Sequence, residues 1–218
     1  NFGDNVLDFT TQNTINYSLG LASPLSFRAG TLKYKQQLFN ADVSKTLDFG
    51  LAYPATLSFG AEYRQEDWSQ GAGEPDSYFG TGSQGFGGFT PRNSGSYDRN
   101  SYAVYAGLEA DITEKFSAGV AGRYEDYSDF GDQVSGKLSA RYAFNDAVAL
   151  RGTVSSGFRA PALAQQHYQA VTTNITNGVA FEAGTFPAAG AAAQALGAEP
   201  LKQETSLSYS LGLVLRPI

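Results

Sequence analysis

The chain contains no cysteine, no methionine, one histidine and one tryptophan. Without cysteine, disulfides and thiolate metal sites are excluded. The single imidazole, His167, cannot assemble a histidine metal cluster. No Ser-His-Asp order or paired-carboxylate arrangement stands out, so no enzymatic site and no cofactor are expected. The missing methionine reads as a chain that does not begin at a natural start, and Asn1 opens no signal peptide. No apolar run approaches the length of a membrane helix. Membrane strands are not excluded by that, because their alternation keeps average hydropathy low. A net charge of −6 argues against a nucleic-acid partner.

What the chain does contain is period-two alternation, which predicts an all-β fold. Ile15, Tyr17, Leu19 and Leu21 share one face of an expected first strand. Phe39, Ala41 and Val43 mark the next, and Leu57, Phe59, Ala61 and Tyr63 a third. Alternation then gives way to Gly, Ser and aromatic residues over 65–100, which reads as a long loop. It returns in strands carrying Tyr102 to Ile112, Phe116 to Tyr124, Val134 to Phe144, Val148 to Val154 and Thr205 to Leu213. These make about eight strands, with a second long loop over 158–200.

Alternation fits both a soluble sandwich and a membrane barrel. Two features favour the barrel, of the antiparallel up-and-down transmembrane type. Tight connections near Pro54, Glu114 and Asp146 alternate with the two long loops. Aromatics also stand at the ends of the apolar faces, Tyr63, Tyr102 and Tyr124 at one rim and Phe116, Tyr142 and Phe144 at the other. That is the pattern of aromatic girdles around an aliphatic band. About eleven residues rising ~3.3 Å each and tilted ~45° span roughly 25 Å, the height of such a band. The opposite faces carry Glu62, Arg64, Arg123, Glu125, Lys137, Arg141 and Arg151, expected to line a lumen. So many charges suit a barrel larger than eight strands. The turn-like ending Leu215-Arg216-Pro217-Ile218 agrees with an internal segment of one.

The stretch Ser155-Ser156-Gly157-Phe158-Arg159-Ala160-Pro161 ends a strand, since Pro161 cannot donate to a ladder and Gly157 permits a bend. Alternation resumes after Leu201-Lys202-Gln203-Glu204-Thr205-Ser206. With Phe59-Gly60-Ala61-Glu62-Tyr63-Arg64, Arg123-Tyr124-Glu125-Asp126-Tyr127-Ser128-Asp129-Phe130-Gly131 and Leu150-Arg151-Gly152, this pair of segments resembles the barrel domain of TonB-dependent outer-membrane receptors. The resemblance covers Phe59 to Leu213, in family order. It implies that residues 1–218 are part of one 22-stranded barrel domain whose N-terminal plug and remaining strands lie outside the sequence. It further implies active import of a scarce nutrient across the outer membrane of a Gram-negative cell, most often an iron–siderophore complex. The inner-membrane TonB complex, acting through the plug, would be a partner, with outer-membrane lipid around the wall. The alternatives from other classes are a passive outer-membrane pore or structural barrel, and a β-rich glycan-binding or oligosaccharide-importing protein.

Several local patterns carry less. Gly80-Thr81-Gly82-Ser83-Gln84-Gly85 matches a dinucleotide fingerprint but lacks the flanking strand and helix, and reads as a flexible loop. Glu125, Asp126, Asp129 and Asp132 lack EF-hand spacing and read as a solvated turn. The best binding candidates are the aromatic and basic residues of the long loops: Trp68, Tyr78, Phe79, Phe86, Phe89, Arg92, Tyr97 and Arg99 in the first, and Arg159, His167, Tyr168, Phe181 and Phe186 in or beside the second. Aromatic faces stack on rings and arginines pair with anions. Taken singly, each aromatic is accounted for by packing within the loops. The set as a whole points to ligand contact.

Four structural expectations follow. Val120 faces lipid and Ala121 the lumen. Glu125 opposes Lys137, and Arg123 opposes Ser139, because the register shifted by two sets Arg123 against Lys137. Residues 113–115 form a three-residue loop, and the turn around Asn145-Asp146 needs three residues or a bulge to keep its faces. Residues 188–196, alanine-rich, form a short helix weakened by Gly190.

Overall fold

The computed structural model describes residues 1–176 and 179–216. The expected ending at 217–218 lies outside the described residues. Ten strands run in order: β1 (Phe2–Gln12), β2 (Ser26–Leu47), β3 (Ala55–Ala72), β4 (Gly95–Asp111), β5 (Phe116–Tyr127), β6 (Gly131–Ala143), β7 (Val148–Arg159), β8 (Ala170–Thr176), β9 (Val179–Thr185) and β10 (Glu204–Leu215). Short helices α1 (Pro75–Tyr78), α2 (Leu163–His167) and α3 (Ala191–Ala195) sit in the connections. Eight strands form one sheet in the order β1-β2-β3-β4-β5-β6-β7-β10, and β8 and β9 form a separate hairpin. β1 and β10 each have one neighbour, so the sheet is not closed.

The chain divides into two compact units: residues 1–37, 65–99 and 161–201, and residues 38–64, 100–160 and 202–218. The second unit is wall. Its registers keep apolar partners together across strands: Leu108, Val120, Leu138, Val154 and Tyr209 fall in one row, and Tyr142, Leu150 and Leu213 in another. Apart from half-buried Leu108 these side chains are exposed, Val120 to 55% and Tyr209 to 71%. An apolar face this continuous and this exposed needs an apolar medium against it. The other face carries the charges.

The first unit is organised differently. At the pairing of β1 with β2, Phe9 opposes Gly30 while Thr10 opposes Arg28, so a bulge leaves Ala29 unpaired. Gly30 adopts φ +131, and a Cβ there would lie 2.6 Å from Gly71 O and 2.7 Å from Phe89 Cδ2. Glycine is what lets Phe89 seat against the bulge, with its N–H donating to Ala29 O at 2.8 Å.

Three expectations are corrected. The first strand is β1, and the alternating run from Ile15 to Leu21 is not a strand. Residues Tyr17–Ala22 form a 3-10 turn. Asn16 drives it: its Oδ1 accepts from Ser18 N–H, and its Nδ2 donates to Asp76 O and Phe79 O, both at 2.8 Å. A local side-chain cap overrides the apolar period. The first long loop is shorter than 65–100, because β3 runs to Ala72 and β4 starts at Gly95. The register of β5 with β6 sets Arg123 opposite Ser135, Glu125 opposite Gln133 and Ala121 opposite Lys137. The turn closes at Tyr127 opposite Gly131, with Gly131 at φ +87. Arg123 instead donates to Glu125 on its own strand and to Glu62 at 3.1 Å, so it needs no partner on β6.

Other expectations stand. Ile112 N–H donates to Phe116 O at 2.8 Å and Phe144 N–H to Val148 O at 2.9 Å, closing both short turns on three residues. Helix α3 occupies the alanine-rich run.

Candidate functional site

In the first unit the even positions of β3 carry Glu66 and Gln70, and the odd positions of β4 carry Tyr97 and Arg99. Arg99 Nε donates to Glu66 Oε2 at 2.8 Å, and Arg99 Nη1 to Pro161 O at 2.8 Å. Glu66 Oε1 accepts from Tyr34 O–H at 2.6 Å. Arg99 and Glu66 are buried, at 4% and 8% exposure. A buried pair must have its remaining hydrogen-bonding capacity met, and Tyr34 and Pro161 do that here. The network ties β2, β3 and β4 to the residue where the second loop begins.

The loop's first residues are fastened further. Leu163 is buried. His167, at the end of α2, stacks on Tyr97 with ring centres 3.7 Å apart and planes 3° from parallel. Tyr97 in turn stacks on Trp68 at 6.1 Å. Gln70 Nε2 donates to Gln169 O at 2.6 Å, and Gln169 Nε2 to Arg92 O at 3.1 Å. Tyr168 meets Phe89 edge-on at 5.9 Å, and Phe89 joins Phe9 and Phe86 in a T-shaped cluster. Residues 161–169 are therefore a packed stem. Beyond them, Ala170 pairs with Thr185 to open the β8–β9 hairpin.

The residues singled out in the sequence thus fall into two groups. Trp68, Phe89 and Arg99 are buried, Phe86, Tyr97, His167 and Tyr168 are half-buried within the same packing, and Tyr78, in α1, is half-buried. Phe79, Arg92, Phe181 and Phe186 present exposed surface. Arg159, in the second unit, is exposed opposite Glu204 across β7 and β10. The sequence reading missed Tyr34, Glu66, Gln70 and Gln169. Glu66 could have been found, because it continues the even-numbered charged run of Glu62 and Arg64.

The wall's charged face holds a second network, in the second unit. Glu62 Oε1 accepts from Arg64 at 2.9 Å and from Arg123 at 3.1 Å. Glu125 accepts from Arg123 and, at 2.7 Å, from Tyr127 O–H. Tyr105 donates to Asp42 and lies under the Arg123 guanidinium, 5.1 Å from the ring centre. Tyr127 stacks on Phe130 at 4.4 Å and meets Phe158 edge-on at 6.0 Å, which pins the 128–130 turn. Lys137, Arg141 and Arg151 share this face but join no ion pair among the described residues. Among those residues no group of three or more His, Asp or Glu side chains is placed to hold a metal ion.

Comparison with solved structures places this architecture. The siderophore receptor PirA from Acinetobacter baumannii aligns over 86% of this chain and 25% of its own, at 20% identity and a TM-score of 0.59. A variant of the ferric enterobactin receptor PfeA from Pseudomonas aeruginosa aligns over 99% of this chain and 29% of its own, at 17% identity and a TM-score of 0.65. PirA from Pseudomonas aeruginosa aligns over 88% and 32%, at 19% identity and a TM-score of 0.61. The chain spans about a quarter to a third of these receptors, and at such identities the likeness is one of fold. No curated protein matches it. The family model described as TonB dependent receptor-like, beta-barrel matches residues 1–217, and the chain belongs to that family.

Proposed function

We propose that this chain is part of the wall and outer loops of a receptor that imports a scarce nutrient, a ferric siderophore, across the outer membrane with energy supplied through TonB. The observation that carries the reading is the family match over residues 1–217. The exposed apolar face of the wall accords with it, since that face suits lipid. The charged face then lines the lumen, and the two long loops belong to the outer side. The protein is a carrier and performs no chemistry on its cargo. Ligand contact falls to the exposed loop residues Phe79, Arg92, Phe181 and Phe186, because an aromatic face or guanidinium must be accessible to meet a ligand. Trp68, Phe89 and Arg99 act by holding the loops that present them.

The test uses the full-length parent as the sole receptor in a Gram-negative host. Uptake of radioactive iron is measured from a panel of catecholate, hydroxamate and citrate siderophores, with TonB present and deleted. Saturable uptake of at least one complex, abolished without TonB, supports the reading. Uptake that persists without TonB and rises linearly with concentration points to a passive pore.

A further inference from the structure

The wall's charged face sets two like charges opposite one another across a ladder, which nothing in the import reading accounts for. Arg141 on β6 stands directly opposite Arg151 on β7. Both are exposed, and neither joins an ion pair or hydrogen bond among the described residues. Like charges opposed across a ladder are unfavourable. An arginine cannot relieve this by losing its proton, as a lysine or histidine can. The nearest acids on this face are Glu109 and Asp111 on β4. Asp111 is two strands away in the row Asp111, Ser117, Arg141, Arg151, which is roughly 10 Å. That is about one Debye length at ~0.1 M salt, so these carboxylates do not neutralise the pair.

Between the two poles lies open space. Glu109, Asp111, Arg141 and Arg151 line a recess of about 400 Å³ whose floor includes Ser117 and Gly119. The floor is kept low by its residues: a Cβ on Gly119 would come within 2.9 Å of Ser139 Oγ. Arg151 lies across Gly212 of β10, where a Cβ would come within 2.9 Å of its Nε. Glycine there lets the guanidinium lie back and leaves the room in front of it open.

We propose that Arg141 and Arg151 form a two-guanidinium seat for an oxyanion, a carboxylate or phosphate group held between them. Side chains directly opposed across a ladder have Cβ atoms about 5 Å apart, so with Arg151 swung off Gly212 both forks can reach one anion. Each fork offers paired donors that match a carboxylate or phosphate edge. An anion in that position turns a repulsive pair into two charge-assisted contacts. The source is either a free anion or an acidic side chain from a part of the polypeptide beyond this chain.

The full-length receptor in detergent micelles separates these cases. Its unfolding temperature is measured in chloride and in inorganic phosphate at equal ionic strength, beside Arg141→Gln, Arg151→Gln and the double variant. If the oxyanion is free, phosphate raises the unfolding temperature of the unmodified receptor, and the rise is lost in all three variants. If it is borne by the polypeptide, phosphate has no effect. Each single variant then unfolds at a lower temperature in both salts, and the double variant is little worse than either. The proposal is overturned if the single variants unfold at the same or a higher temperature and phosphate stabilises none of the proteins, because removing one charge from a vacant like pair relieves repulsion. It is also overturned if phosphate stabilises all four proteins equally, which marks an adventitious ion only.

Discussion

Arg99 and Glu66 are paired in the interior of the first unit, and the same guanidinium reaches the carbonyl of Pro161, where the second long loop begins. Removing one partner of a buried pair strands the other charge and costs about 3–5 kcal/mol. Arg99→Ala and Glu66→Ala in the full-length receptor are each expected to lower stability by that amount. Both should also raise hydrogen exchange over residues 161–169. Tyr34→Phe removes one bond to a charged acceptor and should cost less, about 1.5–3 kcal/mol. Arg99→Ala with exchange unchanged over the stem would show that the pair does not fasten the loop.

The two faces of β5 make opposite predictions for neighbouring residues. Val120 lies in the apolar row with Leu108 and Leu138. Arginine at a midplane lipid-facing position costs about 2–4 kcal/mol. Ala121 lies on the charged face, opposite Lys137. Arginine there meets one like charge across the ladder, worth roughly 1 kcal/mol or less. Val120→Arg should therefore impair folding of the full-length barrel into lipid vesicles more than Ala121→Arg, measured by heat-modifiable migration. Equal effects, or the reverse order, would show the faces to be misassigned.

At the β5–β6 turn, Tyr127 is nearly buried between Phe130 and Phe158 and donates to Glu125. Truncating a packed aromatic costs about 3–5 kcal/mol. Tyr127→Ala is expected to lose stability at that level, against roughly 1–2 kcal/mol for Gly131→Ala, whose penalty is positive φ without a steric clash. Chemical unfolding of the full-length protein gives both values. A Gly131→Ala variant hurt more than Tyr127→Ala would mean that the turn is set by its backbone rather than by its aromatic stack.

The wall was legible from the sequence because one rule governs it. Alternation fixes faces, and faces survive any even shift in register. The register itself was not legible. Charge pairing favours Glu125 opposite Lys137, yet Arg123 satisfies Glu125 from two positions along its own strand and Glu62 as well. Cross-strand pairing is one of several ways to satisfy a charge on a sheet, and the register found here sets Tyr127 on Phe130 and Phe158. The run from Ile15 to Leu21 misled because Asn16 caps a helical turn through Ser18 N–H and is itself held by carbonyls some sixty residues distant in sequence. In the candidate site, the aromatic residues were visible as a set. Their division into a buried stem and an exposed remainder was not, since it depends on Gly30, the β2 bulge and the polar anchors Gln70 and Glu66.

That division changes where the second loop can be cut. A cut at residue 165 would enter the packed stem, to which 165–169 belong through His167, Tyr168 and Gln169. The most direct measurement is made on the full-length receptor with residues 170–199 replaced by a short Gly/Ser linker. Ferric siderophore binding and TonB-dependent iron uptake are followed beside heat-modifiable migration of the barrel. The account predicts a barrel that inserts and migrates as the unmodified protein does, because wall stability rests on ladder hydrogen bonds, with binding and uptake both lost. Undiminished uptake by this replaced receptor would contradict it.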